Sequence, residues 1–137
     1  MQPHITMITL AVQDLQASFE FYRQGLGLNS AGIIGTEYEN GAVAFFDLQN
    51  NLKLALWPQQ SLSKDTGLAT SQFCPTQMSL AHNVDSKSTV DQVMRQAENA
   101  GATIVKPAQT TFYGGYAGYF QDLDGHLWEI AYNPDLI

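Results

Sequence analysis

The chain has 137 residues, 45% of them hydrophobic, so it is long enough to bury the core of one compact domain. Six lysine and arginine residues against thirteen aspartate and glutamate residues give a formal net charge of -7 at pH 7. This acidic balance argues against nucleic acids and anionic membrane surfaces as partners, because both attract basic surfaces. A single cysteine, Cys74, excludes an internal disulfide and a zinc site built from cysteines.

The sequence also lacks the signals that would direct it into or across a membrane. Its first residues show no basic start followed by an apolar run, as a signal peptide would. No segment approaches the roughly 20 apolar residues that are needed to span a bilayer. We therefore expect a cytoplasmic protein.

The first half of the chain predicts a strand, a helix and three further strands. Apolar and β-branched residues predict a strand over residues 5–12. Asp14 has a suitable side chain for the N-cap of an amphipathic helix, which Gly25 and Gly27 end. Three strands are then predicted at residues 30–34, 41–48 and 52–57, the last two joined by a tight turn at residues 49–51.

The second half repeats this order about seventy residues later. A polar stretch without a strong period, residues 59–75, is the predicted linker between module 1 (about 4–58) and module 2 (about 76–134). Residues 88–91 resemble a capping box at the start of a helix that ends at Gly101. Three strands follow at residues 103–106, 115–121 and 126–132, with a hairpin turn at residues 122–125.

The repeated order of elements predicts a single α+β domain. A unit of this size cannot bury its own apolar face alone, so we expect the two βαβββ modules to pair. Such modules would form a partly open mixed β-barrel with its helices outside. The cleft between the modules is then the expected place for a ligand.

Several blocks of the sequence carry a resemblance to a known family. These are Asp14-Leu15, Phe21-Tyr22, Gly25-Leu26-Gly27-Leu28, Ala100-Gly101-Ala102, Lys106-Pro107 and, the most specific, the block from Tyr119 to Ile130. Together they resemble the vicinal oxygen chelate superfamily, which includes glyoxalase I, bleomycin-resistance proteins, fosfomycin-resistance enzymes and extradiol dioxygenases. The resemblance spans nearly the whole chain and implies a glyoxalase-like fold and a homodimer. It implies no single chemistry, because the superfamily hosts several.

Metal-using members of this superfamily place one ligand on the first and one on the last strand of each module. The resemblance assigns those positions to Met7, Leu54, either Gln77 or Ser79, and Glu129. Met7 and Leu54 offer a divalent ion neither oxygen nor imidazole. The ligands that remain come from one module and are too few for the usual site. We therefore expect no metal and no other cofactor.

Glu129 is the main candidate for a catalytic residue. It lies within an apolar strand, and the resemblance implies that it faces the cleft. There it would be a partly desolvated carboxylate with a raised pKa, suited to proton abstraction or to anchoring a cation. The alternative is a vestigial ligand position, with the carboxylate satisfied by Gln77 or by a tyrosine hydroxyl.

An aromatic segment with interspersed glycines, residues 112–119, provides further candidates. Its glycines permit unusual backbone angles, so it predicts either a lid over a ligand or an ordinary strand entry with aromatic packing. We expect Tyr113 or Tyr116 to line the cleft. Trp57 and Phe46 are candidates for lining the region where a metal would lie, with core packing as the alternative.

The three histidines are weaker candidates. His82 interrupts an apolar strand and is a candidate general base or ligand-binding residue. Its alternatives are a structural hydrogen bond, or a position that faces a helix or a dimer partner. We expect His4 and His126 to be exposed.

Three functions remain open at this point. The first is metal-independent binding of a small organic ligand, neutral or cationic, in the cleft between the modules, in the manner of bleomycin-resistance proteins. The second is a lyase or isomerase of the glyoxalase type with Glu129 as its general base. The third is a domain whose paired modules serve mainly as an interaction unit.

Overall fold

The computed structural model describes residues 1–72 and 74–135, which fall into two compact units. The units are Met1–Gln72 and Phe73–Ile137. Each contains a four-stranded mixed sheet and its own helices, so the predicted α+β class and the repeated βαβββ module are confirmed. Among the described residues, no helix is long and apolar enough to cross a membrane.

The first unit has four strands and two helices. They are β1 (Met7–Val12), α1 (Leu15–Glu20), which continues as a π-helical turn (Phe21–Gly25), β2 (Ile33–Ile34), β3 (Val43–Asp47), β4 (Lys53–Pro58) and α2 (Gln59–Thr66). The strand order is β1-β4-β3-β2, with β1 and β4 parallel. Asp14 caps α1 as predicted, because its Oδ1 accepts a hydrogen bond from the N–H of Ala17 at 2.9 Å.

The helix α2 lies in the segment that the sequence predicts to be a linker. It is ended by Gly67, whose left-handed φ of 74° lets its N–H donate to the carbonyl of Ser63 at 2.9 Å. Leu62 is the one apolar residue among its eight. The helix therefore has no apolar period, which is the signal that the prediction relies on.

The second unit has four strands and one helix. They are β5 (Ser79–Asn83), α3 (Lys87–Asn99), β6 (Thr103–Thr110), β7 (Tyr116–Gln121) and β8 (Leu127–Tyr132). The strand order is β5-β8-β7-β6, with β5 and β8 parallel. The helix begins earlier than the predicted capping box at residues 88–91. Ser86 is its N-cap and accepts a hydrogen bond from the N–H of Thr89 at 3.1 Å.

The helix α3 covers one face of the second sheet. A Cβ atom placed on Gly118 would lie 2.9 Å from Cε of Met94, so the even-numbered residues of β7 face this helix. Because side chains alternate along a strand, the odd-numbered residues face the other way. We call that other surface the far face of the second sheet. It comprises Ala117, Tyr119 and Gln121 on β7, Leu127, Glu129 and Ala131 on β8, and Ser79, Ala81 and Asn83 on β5.

Candidate ligand-binding site

A carboxylate and a phenol meet on the far face of the second sheet. Glu129 lies in the middle of β8, and Tyr119 is its register neighbour on β7. The hydroxyl of Tyr119 donates a hydrogen bond to Oε1 of Glu129 at 3.0 Å, and both side chains are partly exposed. Within residues 1–72 and 74–135 this is the one hydrogen bond that the Glu129 side chain makes. Its Oε2 therefore retains the capacity to accept from a ligand.

Tyr119 is a phenol that resists ionisation. Burial raises its pKa above the ordinary value of 10.0, and the hydrogen bond to Glu129 and the charge of that residue raise it further. The charge of Tyr113 adds a smaller contribution in the same direction. At neutral pH the hydroxyl thus keeps its proton and holds the Glu129 carboxylate in one position.

The site is accessible from the β5 side. Ala81 is the register neighbour of Glu129 on β5, and it is exposed. β5 is an edge strand, so no further strand of this sheet covers that side. Ser79 and Asn83 lie two positions away on the same face and are also exposed. A hydroxyl and an amide therefore flank the carboxylate as further polar groups for a ligand.

The turn between β6 and β7 brings the ring of Tyr113 next to Gly115. The N–H of Thr111 donates to the carbonyl of Gly115 at 3.0 Å, and Oγ1 of Thr111 accepts from the N–H of Gly115 at 2.9 Å. A Cβ atom placed on Gly115 would lie 2.7 Å from Cε2 of Tyr113 and 2.7 Å from the carbonyl oxygen of Tyr132. The ring of Tyr113 thus occupies the space that a side chain at position 115 would take.

Tyr116 and His82 lie on the other face of the sheet from Glu129. The hydroxyl of Tyr116 donates to Oδ1 of Asp91 on α3 at 2.8 Å, which with burial raises its pKa. His82 has Ile130 as its register neighbour, so it also points to the α3 side of the sheet, and on the edge strand β5 it is exposed. The expectation that Tyr116 lines the same site as Glu129 is therefore corrected by strand parity, and His82 does not join that site either.

Phe46 and Trp57 belong to the first unit and differ in their surroundings. Phe46 has 0% of its surface exposed, and its ring lies 5.8 Å from that of Phe19 and 5.9 Å from that of Tyr22. It is a core residue on the α1 side of the sheet, which corrects its interpretation as a lining residue. Trp57 is partly exposed, and its indole N–H donates to the carbonyl of Asn40 at 3.1 Å.

Gln77 precedes β5 and does not lie beside Glu129 in the register. Its side chain is exposed, and its backbone N–H donates to the carbonyl of Cys74 at 3.2 Å. The choice between Gln77 and Ser79 is resolved by strand pairing. Met7 pairs with the first residue of β4, and Ser79 pairs with the first residue of β8. Ser79 is therefore the counterpart of Met7.

The positions that would hold a metal in related proteins do not fit one here. Leu54 has 0% of its surface exposed and pairs with Phe46 on the α1 side, so the assignment to Leu54 is corrected by one residue. Ala55, the third residue of β4, corresponds to Glu129, the third residue of β8. The set then consists of a thioether, a methyl group, a hydroxyl and one carboxylate. A divalent metal site usually takes at least three oxygen, nitrogen or thiolate ligands from the protein.

A second cluster of polar side chains lies in the turn between β7 and β8. Ligand atoms of Asp122, Asp124 and His126 all lie within 4.8 Å of one another. Oδ1 of Asp122 accepts from the backbone N–H groups of Asp124 at 3.0 Å and His126 at 2.8 Å, and Oδ2 lies 2.8 Å from Nδ1 of His126. His126 is only 6% exposed, which corrects the expectation of an exposed histidine. These hydrogen bonds fix the shape of the turn.

The shape of this turn brings Tyr119 beside Glu129. A four-residue turn at residues 122–125, as predicted, would place Tyr119 opposite Trp128. Instead Asp122 and His126 form the closing pair, with the N–H of Asp122 donating to the carbonyl of His126 at 3.0 Å. The register moves by one residue and pairs Tyr119 with Glu129. The alternative that a tyrosine hydroxyl satisfies Glu129 is thus the one that the structure shows. The sequence alone does not identify Tyr119 as that tyrosine, and the turn length is the signal that would have revealed it.

Comparisons with known proteins agree with this architecture. The family model of the Glyoxalase/Bleomycin resistance protein/Dioxygenase superfamily matches residues 3–130. A glyoxalase-related enzyme from Fulvimarina pelagi is 37% identical, with a TM-score of 0.83 over 96% of this chain and 89% of its own. No curated protein matches the chain.

Two further solved structures are more distant. A glyoxalase/bleomycin resistance protein/dioxygenase from Nocardioides is 24% identical, with a TM-score of 0.76 over 96% of this chain and 84% of its own. A lactoylglutathione lyase from Agrobacterium tumefaciens is 22% identical, with a TM-score of 0.70 over 99% of this chain and 98% of its own. At these identities the likeness shows the fold alone.

Proposed function

Because the chain belongs to the Glyoxalase/Bleomycin resistance protein/Dioxygenase superfamily, we propose that it binds a small organic ligand on the far face of the second sheet, without a metal ion. The observation that carries this proposal is the pairing of Glu129 with Tyr119 at 3.0 Å. A partly exposed carboxylate held in place by a neighbouring donor is a pre-organised acceptor. Such groups orient ligands in small-molecule sites.

The hydrogen-bonding capacity and the charge of the site support an inference about the class of ligand. Oε2 of Glu129 accepts a hydrogen bond, and an ionised carboxylate binds a charged donor more strongly than a neutral one. The net charge of -7 favours the approach of cations over that of anions. We infer a ligand that is neutral or cationic and that carries at least one N–H or O–H group.

The absence of a fitting donor set supports binding over metal chemistry. Met7 and Ala55 place a thioether and a methyl group at two of the four positions where a ligand would be needed. In this proposal the chain acts by holding its ligand, which is the first of the three functions that the sequence leaves open.

A thermal-shift screen with neutral, cationic and anionic organic compounds tests the proposal. Compounds that bind the folded state raise the melting temperature in a concentration-dependent way. We expect Glu129→Gln to weaken binding of the compounds found by about 10- to 100-fold, since a hydrogen bond to a charged group contributes about 1.5–3 kcal/mol.

Glu98→Gln is the matched control for this experiment. Glu98 is an exposed residue of α3, so its replacement removes the same charge away from the site. We expect this variant to bind as the wild type does. Equal binding by Glu129→Gln and the wild type would contradict the proposal.

A lyase or isomerase with Glu129 as general base is the second candidate. It is favoured by the same hydrogen bond, because a carboxylate held by a phenol is positioned to take a proton from a substrate. The assay follows formation and loss of S-lactoylglutathione, with Glu129→Gln as the inactive variant. Turnover that this substitution abolishes would replace binding with catalysis as the function.

A further inference from the structure

The strand β5 leaves one edge of the second sheet open. It pairs with β8 and stands at the end of the strand order. The N–H of Val84, directly after β5, donates to the carbonyl of Ala131 on β8 at 2.8 Å. In a parallel pair, alternate residues direct both their N–H and their C=O to the partner strand, so the even-numbered residues of β5 share this direction with Val84. The backbone groups that point to the open edge are therefore those of Ser79, Ala81 and Asn83.

Ala81 offers a ligand both its backbone and the way to Glu129. Its N–H and C=O are directed to the open edge, and the residue is exposed. Its methyl group lies on the far face, beside Glu129 in the register. Within residues 1–72 and 74–135, no strand other than β8 pairs with β5. An open edge of this kind is a template for an extended chain, which can pair with its free N–H and C=O groups.

The carboxylate of Glu129 is within reach of a chain paired at this edge. Neighbouring strands lie about 4.8 Å apart, so a chain beside β5 would run about 10 Å from β8. A ligand residue paired directly with Ala81 points its side chain to the same face as the Ala81 methyl group. A long side chain can pass over this small group toward Glu129. Lysine has both the length and the charge that this path requires.

Charge favours a basic peptide over a second copy of this chain as the partner. The net charge of -7 repels another copy and attracts cations. A second copy that paired through its own β5 would place Ser79, Ala81 and Asn83 on the far face, and none of these is cationic. Such a partner would leave Glu129 without a counter-ion.

We propose that the ligand of the Glu129 site is a short extended peptide with a lysine residue, whose backbone pairs with the N–H and C=O of Ala81 and whose ammonium group binds the carboxylate of Glu129. The two backbone hydrogen bonds hold any extended amide, and the ion pair selects the basic side chain. This inference rests on the proposed function and adds the class of ligand to it.

Three probes separate the contribution of the backbone from that of the charge. N-acetyl-lysine N-methylamide carries both groups, its norleucine analogue keeps the amides without the charge, and n-butylamine keeps the ammonium group without the amides. We expect NMR titrations of the wild type to show the lysine probe binding about three- to tenfold more tightly than either of the others. Glu129→Gln should remove the preference for lysine over norleucine, whereas the control Glu98→Gln should preserve it.

Ala81→Pro tests the pairing of the backbone. Proline is tolerated on an edge strand where the N–H faces away from the sheet, so this variant loses no hydrogen bond to β8. We expect it to weaken the lysine and norleucine probes alike, by about three- to tenfold for one lost hydrogen bond, and to leave n-butylamine unchanged. Ser79→Pro removes an N–H from the same edge two residues away and is the matched control.

A modified probe keeps this test decisive if Ala81→Pro fails to fold. Methylation of the acetylated amide nitrogen removes the donor from the lysine probe instead of from the protein. We expect this compound to bind the wild type about three- to tenfold more weakly than the unmodified probe. Equal affinity for the two compounds would contradict the pairing with Ala81.

The outcomes distinguish this inference from the proposed function. If n-butylamine binds as tightly as the lysine probe and Glu129→Gln weakens both, the backbone pairing is wrong and the ligand site stands. Equal affinity of the wild type for the lysine and norleucine probes, or binding of neither, overturns the class of ligand. A dimer that Ala81→Pro converts into a monomer in light scattering would assign this edge to a second copy and would also overturn the inference.

Discussion

The hydroxyl of Tyr119 keeps its proton because the side chain is partly buried, and through that proton it orients the carboxylate of Glu129. Its proton is held by burial and by the neighbouring carboxylate, and the same proton fixes Oε1 of Glu129. A carboxylate without such a donor would be free to rotate on a flexible side chain. At the scale of residues, the orientation of the Glu129 carboxylate thus depends on one hydrogen bond across two strands.

This hydrogen bond makes a testable prediction about ionisation. We expect tyrosine labelled with ¹³C at Cζ to show that Tyr119 in the wild type has a pKa above the ordinary value of about 10. Glu129→Gln should lower this pKa, because the negative charge that opposes ionisation is removed. It should not fall to the ordinary value, since burial is the largest cause of the shift. Glu98→Gln should leave it unchanged, and an unchanged pKa in Glu129→Gln would contradict the account.

At the scale of elements, the alternation of side chains between the two faces of a strand decides which residues share the site with Glu129. The sequence predicts the strand containing Glu129 and the turn at residues 122–125, but a difference of one residue in turn length changes which side chains are neighbours. The sequence also does not show which residues of β4 face which side of the sheet. Leu54, Ala55 and Leu56 are all apolar, so no alternation of apolar and polar residues marks the two faces. Such positions could not be assigned to a face from the sequence.

Features that depend on one side chain and the adjacent backbone, such as helix N-caps, could be predicted from the sequence. Asp14 caps α1 as its sequence pattern predicts. Ser86 caps α3, whereas the sequence pattern favours a box that starts at Ser88. Two nearby serines offer the same chemistry, and the backbone angles decide between them. The contact between Tyr113 and Gly115 could not be predicted from the sequence either, because it depends on the path of the chain between β6 and β7.

The cap of α3 is tested with a matched pair of substitutions. Ser86→Ala removes the acceptor of the Thr89 N–H and should lower the free energy of unfolding by about 0.5–2 kcal/mol. Ser88→Ala leaves this acceptor in place and removes only the hydrogen bond of 2.9 Å between the two serine hydroxyls, so it should cost less than Ser86→Ala. Urea denaturation measures both. A larger loss for Ser88→Ala than for Ser86→Ala would favour the capping box instead.

At the scale of the whole molecule, the two modules have the same topology but carry different side chains at corresponding positions. Each sheet has its first and last strands parallel and adjacent, yet Ala55 stands in the first where Glu129 stands in the second. Duplication thus gives the fold its order of elements, and the asymmetry between the copies leaves one carboxylate at the four positions compared. That asymmetry leaves these four positions with fewer metal ligands than a divalent metal site usually takes from the protein.

Metal independence is therefore a prediction about the whole protein. We expect dialysis against a chelator to leave its melting temperature unchanged. The four positions compared offer too few ligands, and in the turn between β7 and β8 the Asp122 carboxylate is engaged in hydrogen bonds with Asp124 and His126. Elemental analysis of protein purified without chelator should find no stoichiometric nickel, zinc, manganese or iron. One equivalent of any of these would contradict this part of the account.

The location of the ligand site is the central claim, and an NMR titration of chelator-treated protein with the tightest-binding compound from the thermal-shift screen tests it most directly. We predict that the backbone amide shifts that change most on titration belong to the far face of the second sheet, around Ala81, Tyr119 and Glu129. Shifts concentrated on α3, or in the turn at residues 122–126, would contradict the claim and place the ligand elsewhere.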